Sequence, residues 1–470
     1  MDTAVHLKMK QEIIFGPPGT GKTTHLLNIL EKELKTCDPD NIAFVSFTKK
    51  GAYEARDRAI KKFNYHIEDL PYFRTLHSLA FLQIGARPAN MVRFKDYKYL
   101  SNLLGISINS YNIEDPFSHD RYLFLDYYSR NSMLPLEEVW HQLGENEEWL
   151  RLKHVIRCVN NYKKEKGYFD FTDLIELSIK HDKTVPVEIA IIDEAQDLTT
   201  LQWAMVKTSF KNCKKIYIAG DDDQSIYKWA GADVNHFLNL KGEYTYLGQS
   251  YRIPRKVHQF VHNKILSQIK NRVKKVFKPR DHEGGIFFHS YLDEITLDSS
   301  SWLILARNRY FLKEAEEYTR IQGRVYKTKE KKSVEEKHWK AIYDWEDHRK
   351  GKVVEDMSLI NHFTKSRPDR SKPWFEAFIN MPAHTREYYQ SILRRGGNLR
   401  KDPNIIIDTI HSVKGGQADN VILILDMSWK TYQNFQKFPD DENRVFYVGA
   451  TRAKENLHIV YPNSDIGYSF

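Results

Sequence analysis

The stretch that decides the fold is Gly16-Pro17-Pro18-Gly19-Thr20-Gly21-Lys22-Thr23-Thr24, which has the pattern G-x-x-x-x-G-K-T. It follows the apolar run Glu12–Phe15 and precedes the helix-compatible stretch Thr24–Leu34, the strand–loop–helix context that a phosphate-binding loop requires. The glycines let backbone N–H groups face phosphate oxygens, and the N-terminus of the following helix adds positive potential. We expect Lys22 to reach the β- and γ-phosphates and the Thr23 hydroxyl to ligate Mg²⁺.

A second element is the acidic pair Asp193-Glu194, which follows the apolar run Ile189–Ile192. The carboxyl end of a strand is where an α/β sheet places its ligands. Asp193 suits the Mg²⁺ shell, and Glu194 suits the base that orients or deprotonates an attacking water. Such a pair is usually a solvated turn when it stands alone, and the phosphate loop upstream favours the functional interpretation.

The stretch Gly220–Ala232 reads Gly-Asp-Asp-Asp-Gln-Ser-Ile-Tyr-Lys-Trp-Ala-Gly-Ala. Its three adjacent carboxylates repel one another, so we expect a turn with a bound cation nearby. Gln224 is an uncharged donor and acceptor that could touch both the γ-phosphate and the water. Tyr227 and Trp229 could stack on nucleic-acid bases, each stack worth roughly 1–3 kcal/mol, or they could be buried core residues.

Two arginines in the second half are candidates for transition-state stabilisation. Arg252 lies in Gln249–Pro254, and Arg452 lies in Thr451-Arg452-Ala453. An arginine in either sequence context, considered alone, is more often a surface residue. A γ-phosphate held between two lobes, however, needs a guanidinium from the second lobe.

Short apolar runs alternate with longer helix-compatible stretches along the chain. Continuous rather than alternating apolar runs indicate parallel strands covered on both faces, and therefore two α/β lobes. The runs are Glu12–Phe15, Ile42–Phe47, Glu188–Ile192, Lys215–Ala219, Gly285–Tyr291, Trp302–Ala306, Ile405–Ile410, Val421–Leu425 and Leu457–Tyr461.

Two regions interrupt this alternation. Residues 85–165 are rich in Tyr, Leu, Asn, Lys and Glu without strand runs, and they predict a helical insertion in the first lobe. Residues 355–402 are polar and basic and predict a small insertion in the second lobe. Their basic motifs are Arg367-Pro368-Asp369-Arg370, Lys372-Pro373-Trp374-Phe375 and Arg394-Arg395-Gly396-Gly397.

Composition sets only loose bounds on function. The formal net charge of +9 suits a polyanionic partner but is weak evidence by itself. The three cysteines are far apart and no Cys/His cluster has zinc spacing. The N-terminus has no apolar signal region and no run approaches the roughly 20 apolar residues of a membrane span, so we expect a cytoplasmic protein.

Taken together, the motifs resemble those of the superfamily 1A helicases, the UvrD/Rep/PcrA-like group, over both lobes. The phosphate loop, Asp193–Asp197 and Gly220–Ala232 resemble family motifs I, II and III. The remaining motifs resemble Phe47-Thr48-Lys49-Lys50-Gly51-Ala52 (Ia), Thr75–Ala80 (Ib), Phe169–Leu174, Leu247–Pro254 (IV), Thr409-Ile410-His411-Ser412-Val413-Lys414-Gly415 (V) and Tyr447–Ala453 (VI).

The resemblance implies an α/β fold with two RecA-like P-loop lobes with parallel sheets, each carrying an inserted mainly helical subdomain. The implied boundaries are 1–84 with 166–250 for lobe 1A, 85–165 for insertion 1B, 251–354 with 403–470 for lobe 2A, and 355–402 for a reduced insertion 2B. It also implies ATP and Mg²⁺ between the lobes, single-stranded DNA across both, and 3′→5′ translocation with strand separation.

Residue roles follow from motif position in the same way. Those implied for ATP hydrolysis are Lys22, Thr23, Asp193, Glu194, Gln224, Arg252 and Arg452. Tyr251 is implied to stack near the adenine. Those implied along the DNA are Phe47, His77, Tyr227, Trp229 and His411.

The sequence departs from the family at several positions. The phosphate loop begins at residue 16, so the upstream adenine-reading glutamine motif is missing or displaced, and Gln11 is too close to the loop. We therefore expect weaker discrimination between ATP and other nucleoside triphosphates. Ser250 replaces the usual Asn of motif IV. Gln417, whose side chain is uncharged, could hydrogen-bond a ribose hydroxyl. The reduced 2B insertion predicts less autoinhibition, and duplex contacts that either differ from those of the family or come from the basic motifs above.

The sequence leaves other functions open. One is a single-strand translocase that strips proteins from DNA or needs a partner to unwind, which the small 2B favours. Another is a phosphate-loop enzyme acting on a small molecule, which motifs V and VI and the motif III aromatics disfavour. We expect a monomer acting at junctions of single- and double-stranded DNA with replication or repair proteins, and the compact size is compatible with a phage-encoded enzyme.

Overall fold

The computed structural model describes residues 9–47, 49–108, 121–144, 147–365 and 369–470. The chain divides into two compact units. Unit 1 comprises Met1–Tyr251 and Ile269–Arg280, and unit 2 comprises Arg252–Gln268 and Asp281–Phe470. Thr48, Arg367 and Pro368, which belong to motifs quoted above, lie outside the described residues.

Unit 1 is built on a parallel sheet, to which its described residues contribute six strands in the order β3-β2-β4-β5-β1-β6. The strands are β1 Lys10–Phe15, β2 Ile42–Ser46, β3 Phe73–Thr75, β4 Ile189–Asp193, β5 Lys215–Gly220 and β6 Glu243–Tyr246. The four apolar runs predicted in this half are all strands. Every residue of β2 and β4 is buried, as expected for strands with helices on both faces.

The helices of unit 1 follow these strands and cover both faces of the sheet. They are α1 Lys22–Glu33, α2 Lys49–Phe63, α3 Leu76–Ile84, α4 Phe94–Leu104, α5 Arg121–Ser132, α6 Leu136–Leu143, α7 Trp149–Lys166, α8 Phe171–Lys180, α9 Thr200–Ser209 and α10 Val234–Leu238. Successive residues of β1 point to opposite faces of the sheet, so Ile13 belongs to one hydrophobic cluster and Ile14 to the other. Helices α4 to α7 lie in the predicted insertion 85–165, and no strand occurs in its described part.

The insertion is joined to unit 1 by a compact charge network. Arg130 on α5 donates to Asp173 at 2.6 Å and to Glu176 at 2.8 Å, both on α8. Lys163 on α7 donates to Asp173 at 2.9 Å and to Asp170 at 2.6 Å. Because Asp170 also caps the N-terminus of α8, the network fixes the insertion to the helix that begins in the motif Phe169–Leu174.

Unit 2 has its own parallel sheet, in which the described residues form six strands in the order β7-β12-β11-β8-β10-β9. The strands are β7 Gly285–His289, β8 Trp302–Ala306, β9 Tyr326–Lys327, β10 Ile405–Thr409, β11 Ala418–Ile424 and β12 Ala453–Val460. The helices are α11 Arg255–Lys264, α12 Leu312–Ile321, α13 Glu336–Arg349, α14 Ser358–Phe363, α15 Trp374–Ala377, α16 Ala383–Arg394, α17 Trp429–Lys437 and α18 Pro439–Ala450. The two sheets confirm the predicted pair of RecA-like α/β lobes.

The predicted insertion 355–402 is not packed as a separate body within unit 2. Its helices α14, α15 and α16 share one hydrophobic cluster with the sheet and with α13. The buried members from the insertion include Ile360, Phe363, Trp374, Phe378, Tyr388, Tyr389 and Ile392. The insertion is therefore part of the core of unit 2.

The sequence boundaries put residues 269–280 in lobe 2A, but the structure places these residues in unit 1. They pack with unit 1, although the residues on either side belong to unit 2. The physical reason is electrostatic, because this segment carries the cations that pair with the carboxylates of Asp221, Asp222 and Asp223.

Candidate functional site

The phosphate loop leaves β1 and enters α1 directly. Gly19 and Gly21 have φ of +73° and +78°, a conformation that residues with a side chain rarely adopt. The Thr20 hydroxyl donates to the carbonyl of Pro17 at 2.8 Å and closes the turn between the two glycines. Thr23 and the exposed Thr24 lie in the first turn of α1, so the loop ends at a helix N-terminus.

Lys22 folds back across the start of its own loop. Its ammonium donates to the carbonyl of Gly16 at 3.0 Å and lies 3.6 Å from Glu194 Oε1. A Cβ built on Gly16 would lie 2.0 Å from Lys22 Cγ. Gly16 is therefore required because the lysine side chain occupies the space of any larger residue.

Replacing Gly16 with alanine should displace Lys22 and weaken triphosphate binding. We expect ATP affinity to fall by about tenfold or more, the equivalent of about 1.4 kcal/mol, because one charge-assisted phosphate contact is misplaced. Equilibrium titration with a fluorescent ATP analogue measures the effect. Gly248→Ala is the matched control, since no atom lies within 4 Å of its added Cβ. Equal affinity in both variants would contradict this account of Gly16.

Motifs I, II and III come from three neighbouring strands. Phe15 pairs with Gly220, so the phosphate loop and Asp221 leave β1 and β5 at the same edge, and β4 lies on the other side of β5. Because all three strands are parallel, their carboxyl ends bring Lys22, Glu194 and Gln224 to one edge of the sheet.

The acidic pair at the end of β4 is held in an unusual conformation. Glu194 has φ of +54°, in the left-handed region, and its N–H donates to Asp193 Oδ1 at 2.9 Å. Non-glycine residues in this region are uncommon and cluster at functional sites. Burial, and next the neighbouring Glu194, raise the pKa of Asp193 to about 7.

The donors at this position fit Mg²⁺. Asp193 is buried, and its raised pKa indicates that Lys22 alone compensates its charge incompletely. A carboxylate and the Thr23 hydroxyl are hard oxygen ligands of the kind that Mg²⁺ uses beside substrate phosphates. These two residues would hold the ion, which would neutralise charge on the phosphates when bound.

Gln196, which the sequence analysis did not single out, connects motifs II and III. The side chain is buried, and its amide donates to Glu194 Oε2 at 2.5 Å and to Asp197 Oδ2 at 3.2 Å. Its carbonyl oxygen accepts the N–H of Asp221 at 2.9 Å. The signal in the sequence was a glutamine two residues after the acidic pair, but nothing there showed that its two ends would meet different motifs.

Gln224 lies in a short 3₁₀ helix, Asp222–Gln224, and is buried. Its side-chain amide donates to Asp221 Oδ2 at 2.7 Å. Asp221 thus contacts the side chain of Gln224 as well as Gln196. Lys22 contacts Glu194 directly, and Glu194 is linked to Gln224 through the side chain of Gln196 and through the backbone N–H and carboxylate of Asp221.

The cation expected beside the three adjacent carboxylates is supplied by the protein. The Lys275 ammonium lies 2.8 Å from Asp221, 2.9 Å from Asp223 and in contact with Asp222. Arg272 donates to both oxygens of Asp223, at 2.7 and 2.6 Å. The three carboxylates are close enough together to hold a metal ion, but a lysine occupies the centre of the group instead.

Unit 2 brings together a second group of predicted residues. Arg252 Nε donates to Gln417 Oε1 at 2.8 Å, which joins motifs IV and V. Arg452 is buried and donates to the carbonyls of Val448 at 2.9 Å and Gly416 at 3.4 Å.

Two further predicted residues are close in sequence to members of this group, Tyr251 to Arg252 and His411 to Gln417. Tyr251 belongs to unit 1, is 73% exposed, and its N–H donates to the carbonyl of Gly19 at 2.8 Å. His411 lies in unit 2 in the turn after β10, where its carbonyl accepts the N–H of Lys414.

The predicted DNA-contacting aromatics of unit 1 form a connected row. The ring centroids of Phe47 and Tyr227 are 5.2 Å apart, and those of Tyr227 and Trp229 are 6.2 Å apart. The three rings are partly exposed. His77 lies edge-on to the exposed ring of Phe171, and desolvation lowers its pKa to about 4, so that its imidazole is neutral at pH 7.

The amide of Gln11 donates to the carbonyl of Lys241 at 3.0 Å, near the amino end of β1 and away from the phosphate loop. Within the described ranges, no helix is both long enough and apolar enough to cross a bilayer.

Comparison with known proteins agrees with this arrangement. The UvrD/REP helicase N-terminal domain matches residues 2–245, and the UvrD-like helicase C-terminal domain matches residues 307–464. The ATP-dependent DNA helicase Rep of Buchnera aphidicola subsp. Acyrthosiphon pisum is 27% identical over 297 residues, covering 58% of this chain and 46% of that protein. The ATP-dependent DNA helicase PcrA of Bacillus subtilis is 25% identical over 303 residues, covering 58% of this chain and 39% of that protein.

The matched region therefore spans less than half the length of these two relatives. Among solved structures, arterivirus nonstructural protein 10 (helicase) in complex with DNA has a TM-score of 0.37 and 12% identity, over 97% of this chain and 62% of that chain. The two domain matches cover most of the chain and contain the phosphate loop, the acidic pair and motifs V and VI. On that basis the chain belongs to the UvrD/Rep helicase family.

Proposed function

We propose that this protein is an ATP-dependent DNA helicase that moves 3′→5′ on single-stranded DNA and unwinds duplexes from junctions with single strands. The observation that carries the proposal is the continuity of unit 1 between the nucleotide motifs and the aromatic row. Gln196 contacts Glu194 on one side and Asp221 on the other, and the chain then leads within a few residues to Tyr227 and Trp229. The direction of movement is inferred from the family resemblance.

Hydrolysis would rest on two groups of residues, each held together by contacts within its own unit. Glu194 is the base that orients or deprotonates the attacking water, and the amide of Gln196 fixes its carboxylate. Lys22 neutralises the β- and γ-phosphates, and Gln224 touches the γ-phosphate. Arg252 and Arg452 add guanidinium charge to the transition state, and Gln417, bonded to Arg252, contacts the ribose.

DNA binding would use stacking and would vary little with base sequence. Phe47, Tyr227 and Trp229 offer ring faces to successive bases, and the net charge of +9 favours the phosphate backbone. His77 and His411 are proposed as further contacts. Because Tyr227 and Gln224 lie in one short stretch, DNA stacking and the state of the γ-phosphate could influence each other.

The direct test is ATP hydrolysis with and without single-stranded DNA. We expect oligo(dT) to raise kcat for ATP severalfold or more, with a steep loss of stimulation as salt increases. A small-molecule phosphate-loop enzyme would instead hydrolyse ATP at a rate indifferent to DNA. That result would overturn the proposal.

Replacing Trp229 with alanine should weaken single-stranded DNA binding by about 1–3 kcal/mol, or roughly five- to 150-fold, because one base stack is lost. Trp229→Phe should retain most of the affinity. Fluorescence anisotropy with a labelled oligonucleotide measures the change. Phe287→Ala, which removes a 46% exposed ring at the edge strand β7 of unit 2, is the control. Equal affinities for Trp229→Ala and the control would show that Trp229 is a structural residue.

Nucleotide selectivity should be weaker than in relatives that read adenine. The Gln11 side chain is bonded to the carbonyl of Lys241, near the amino end of β1 and away from the phosphate loop. We expect this protein to keep a larger fraction of its ATP rate with GTP or UTP than Rep or PcrA assayed beside it. The same relative losses in all three would contradict this expectation.

A single-strand translocase that needs a partner to unwind is the second candidate. The insertion 355–402 favours it, because this segment is packed into the core of unit 2 and does not form a separate body. Arg394 and Arg395 are exposed at the end of α16 and are the proposed duplex contacts. DNA-stimulated hydrolysis without strand displacement would select this alternative.

A further inference from the structure

Residues 269–280, here called the strap, connect two stretches of unit 2 but belong to unit 1. Ile269, Lys275 and Phe277 are buried, and Val273 packs against a core cluster of unit 1. A loop is expected on the surface, so the burial of these three side chains, one of them a lysine, calls for a specific attachment.

The attachment at the centre of the strap is a buried cluster of five charges. The ammonium of Lys275 contacts all three carboxylates of Asp221, Asp222 and Asp223, and Arg272 pairs with Asp223 through two hydrogen bonds. The N–H of Val273 donates to Asp222 at 2.9 Å. Removing one partner of a buried charge group leaves the others uncompensated, so each contact depends on Lys275.

One carboxylate of this cluster also belongs to the nucleotide motifs. Asp221 uses one oxygen for Lys275, at 2.8 Å, and the other for the side-chain amide of Gln224, at 2.7 Å. Without Lys275, repulsion from the two neighbouring carboxylates would move Asp221. Gln224 would then lose the hydrogen bond from its side-chain amide to Asp221.

The C-terminal end of the strap is hydrogen-bonded to motif IV, which in turn contacts the phosphate loop. Lys278 exchanges two backbone hydrogen bonds with motif IV, to Gly248 and from Ser250, each at 2.8 Å. The Ser250 hydroxyl donates to the carbonyl of Pro18 at 2.8 Å. Within unit 1 the strap therefore contacts motif III directly and reaches the phosphate loop through motif IV.

We propose that Lys275 is a positioning residue for nucleotide hydrolysis, which holds Gln224 in place through Asp221. The proposal rests on the proposed function, since it assigns Gln224 to the γ-phosphate. It predicts that the strap matters for kcat rather than only for folding. A misplacement of about 1 Å at a reacting group can cost about a hundredfold in rate.

The experiment separates this role from a purely structural one by matching charge. Lys275→Met alone leaves the buried carboxylates underneutralised and should lower the Tm. The double variant Lys275→Met with Asp222→Asn removes one positive and one negative charge together, so the net charge of the cluster is unchanged. Lys274→Met, at an exposed neighbouring position, is the control for losing a strap lysine.

We expect the double variant to recover much of the Tm while its DNA-stimulated kcat stays about a hundredfold low and its KM for ATP changes little. In a Gln224→Ala background, the same double substitution should cause no further loss of kcat, and Lys275→Arg in the otherwise unchanged protein should restore part of it. Recovery of kcat together with Tm, or independent losses in the Gln224→Ala background, would overturn the proposal. Absence of ATP hydrolysis in the unmodified protein would instead refute the proposed function.

Discussion

Replacing Glu194 with glutamine should lower kcat for DNA-stimulated ATP hydrolysis by about a thousandfold, within the range known for loss of a general base. The reason is specific to its position. Glu194 lies 3.6 Å from the Lys22 ammonium, and its carboxylate accepts the Gln196 amide at 2.5 Å. Glutamine has nearly the same shape, so the left-handed backbone at this residue and the fold of the loop should be retained.

ATP binding should survive in this variant, because Glu194 acts on the water rather than on the phosphates. Single-turnover hydrolysis and ATP affinity are the two measurements. Glu68→Gln is the control, since Glu68 is exposed and precedes β3, at the opposite edge of the sheet from the phosphate loop. A variant that keeps more than about a tenth of the normal kcat would show that Glu194 is not the base.

Deleting residues 355–402 should prevent unit 2 from folding cooperatively. Phe378 of this segment is fully buried, and its ring lies 5.9 Å from Trp345 on α13 and 5.7 Å from Phe363. Loss of one such buried aromatic costs about 3–5 kcal/mol, and a whole domain has only about 5–15 kcal/mol of stability. Deletion removes several such residues at once, so it cannot test duplex contacts without unfolding the protein.

Point variants test the same packing quantitatively. Phe378→Ala should lower the free energy of unfolding by about 3–5 kcal/mol, whereas Ile379→Ala, at a 43% exposed neighbour, should change it by about 0.5 kcal/mol or less. Urea denaturation followed by circular dichroism measures both. If the deletion variant kept a cooperative transition for each unit, the shared core would be wrong. Arg394→Ala and Arg395→Ala then test duplex contacts in a folded protein.

Much of the fold could be predicted because it follows from local patterns. Continuous apolar runs identified the central strands of both sheets, and the phosphate loop fixed where the first sheet carries its ligands. The short edge strands β3, β6 and β9 were missed because two to four residues leave little periodic signal. The predicted strand Gly285–Tyr291 ends at His289, within the usual uncertainty of element boundaries.

The candidate site was predictable where one motif carries its own chemistry and hidden where distant residues combine. Lys22 and Glu194 were identified from the sequence, and the structure brings them together. Lys275 was not, because nothing in the sequence shows that a lysine 54 residues downstream would neutralise Asp221 and its neighbours. The integration of the insertion was likewise invisible, since its buried aromatics are separated by polar and basic residues.

Strand displacement on duplexes with either a 3′ or a 5′ single-stranded tail, in the presence of ATP and Mg²⁺, tests the proposed helicase activity and its direction together. We expect unwinding from the 3′ tail alone and none with Glu194→Gln. Unwinding only from the 5′ tail would contradict the proposed direction. No displacement from either tail, with hydrolysis still stimulated by DNA, would contradict the helicase assignment and leave a translocase.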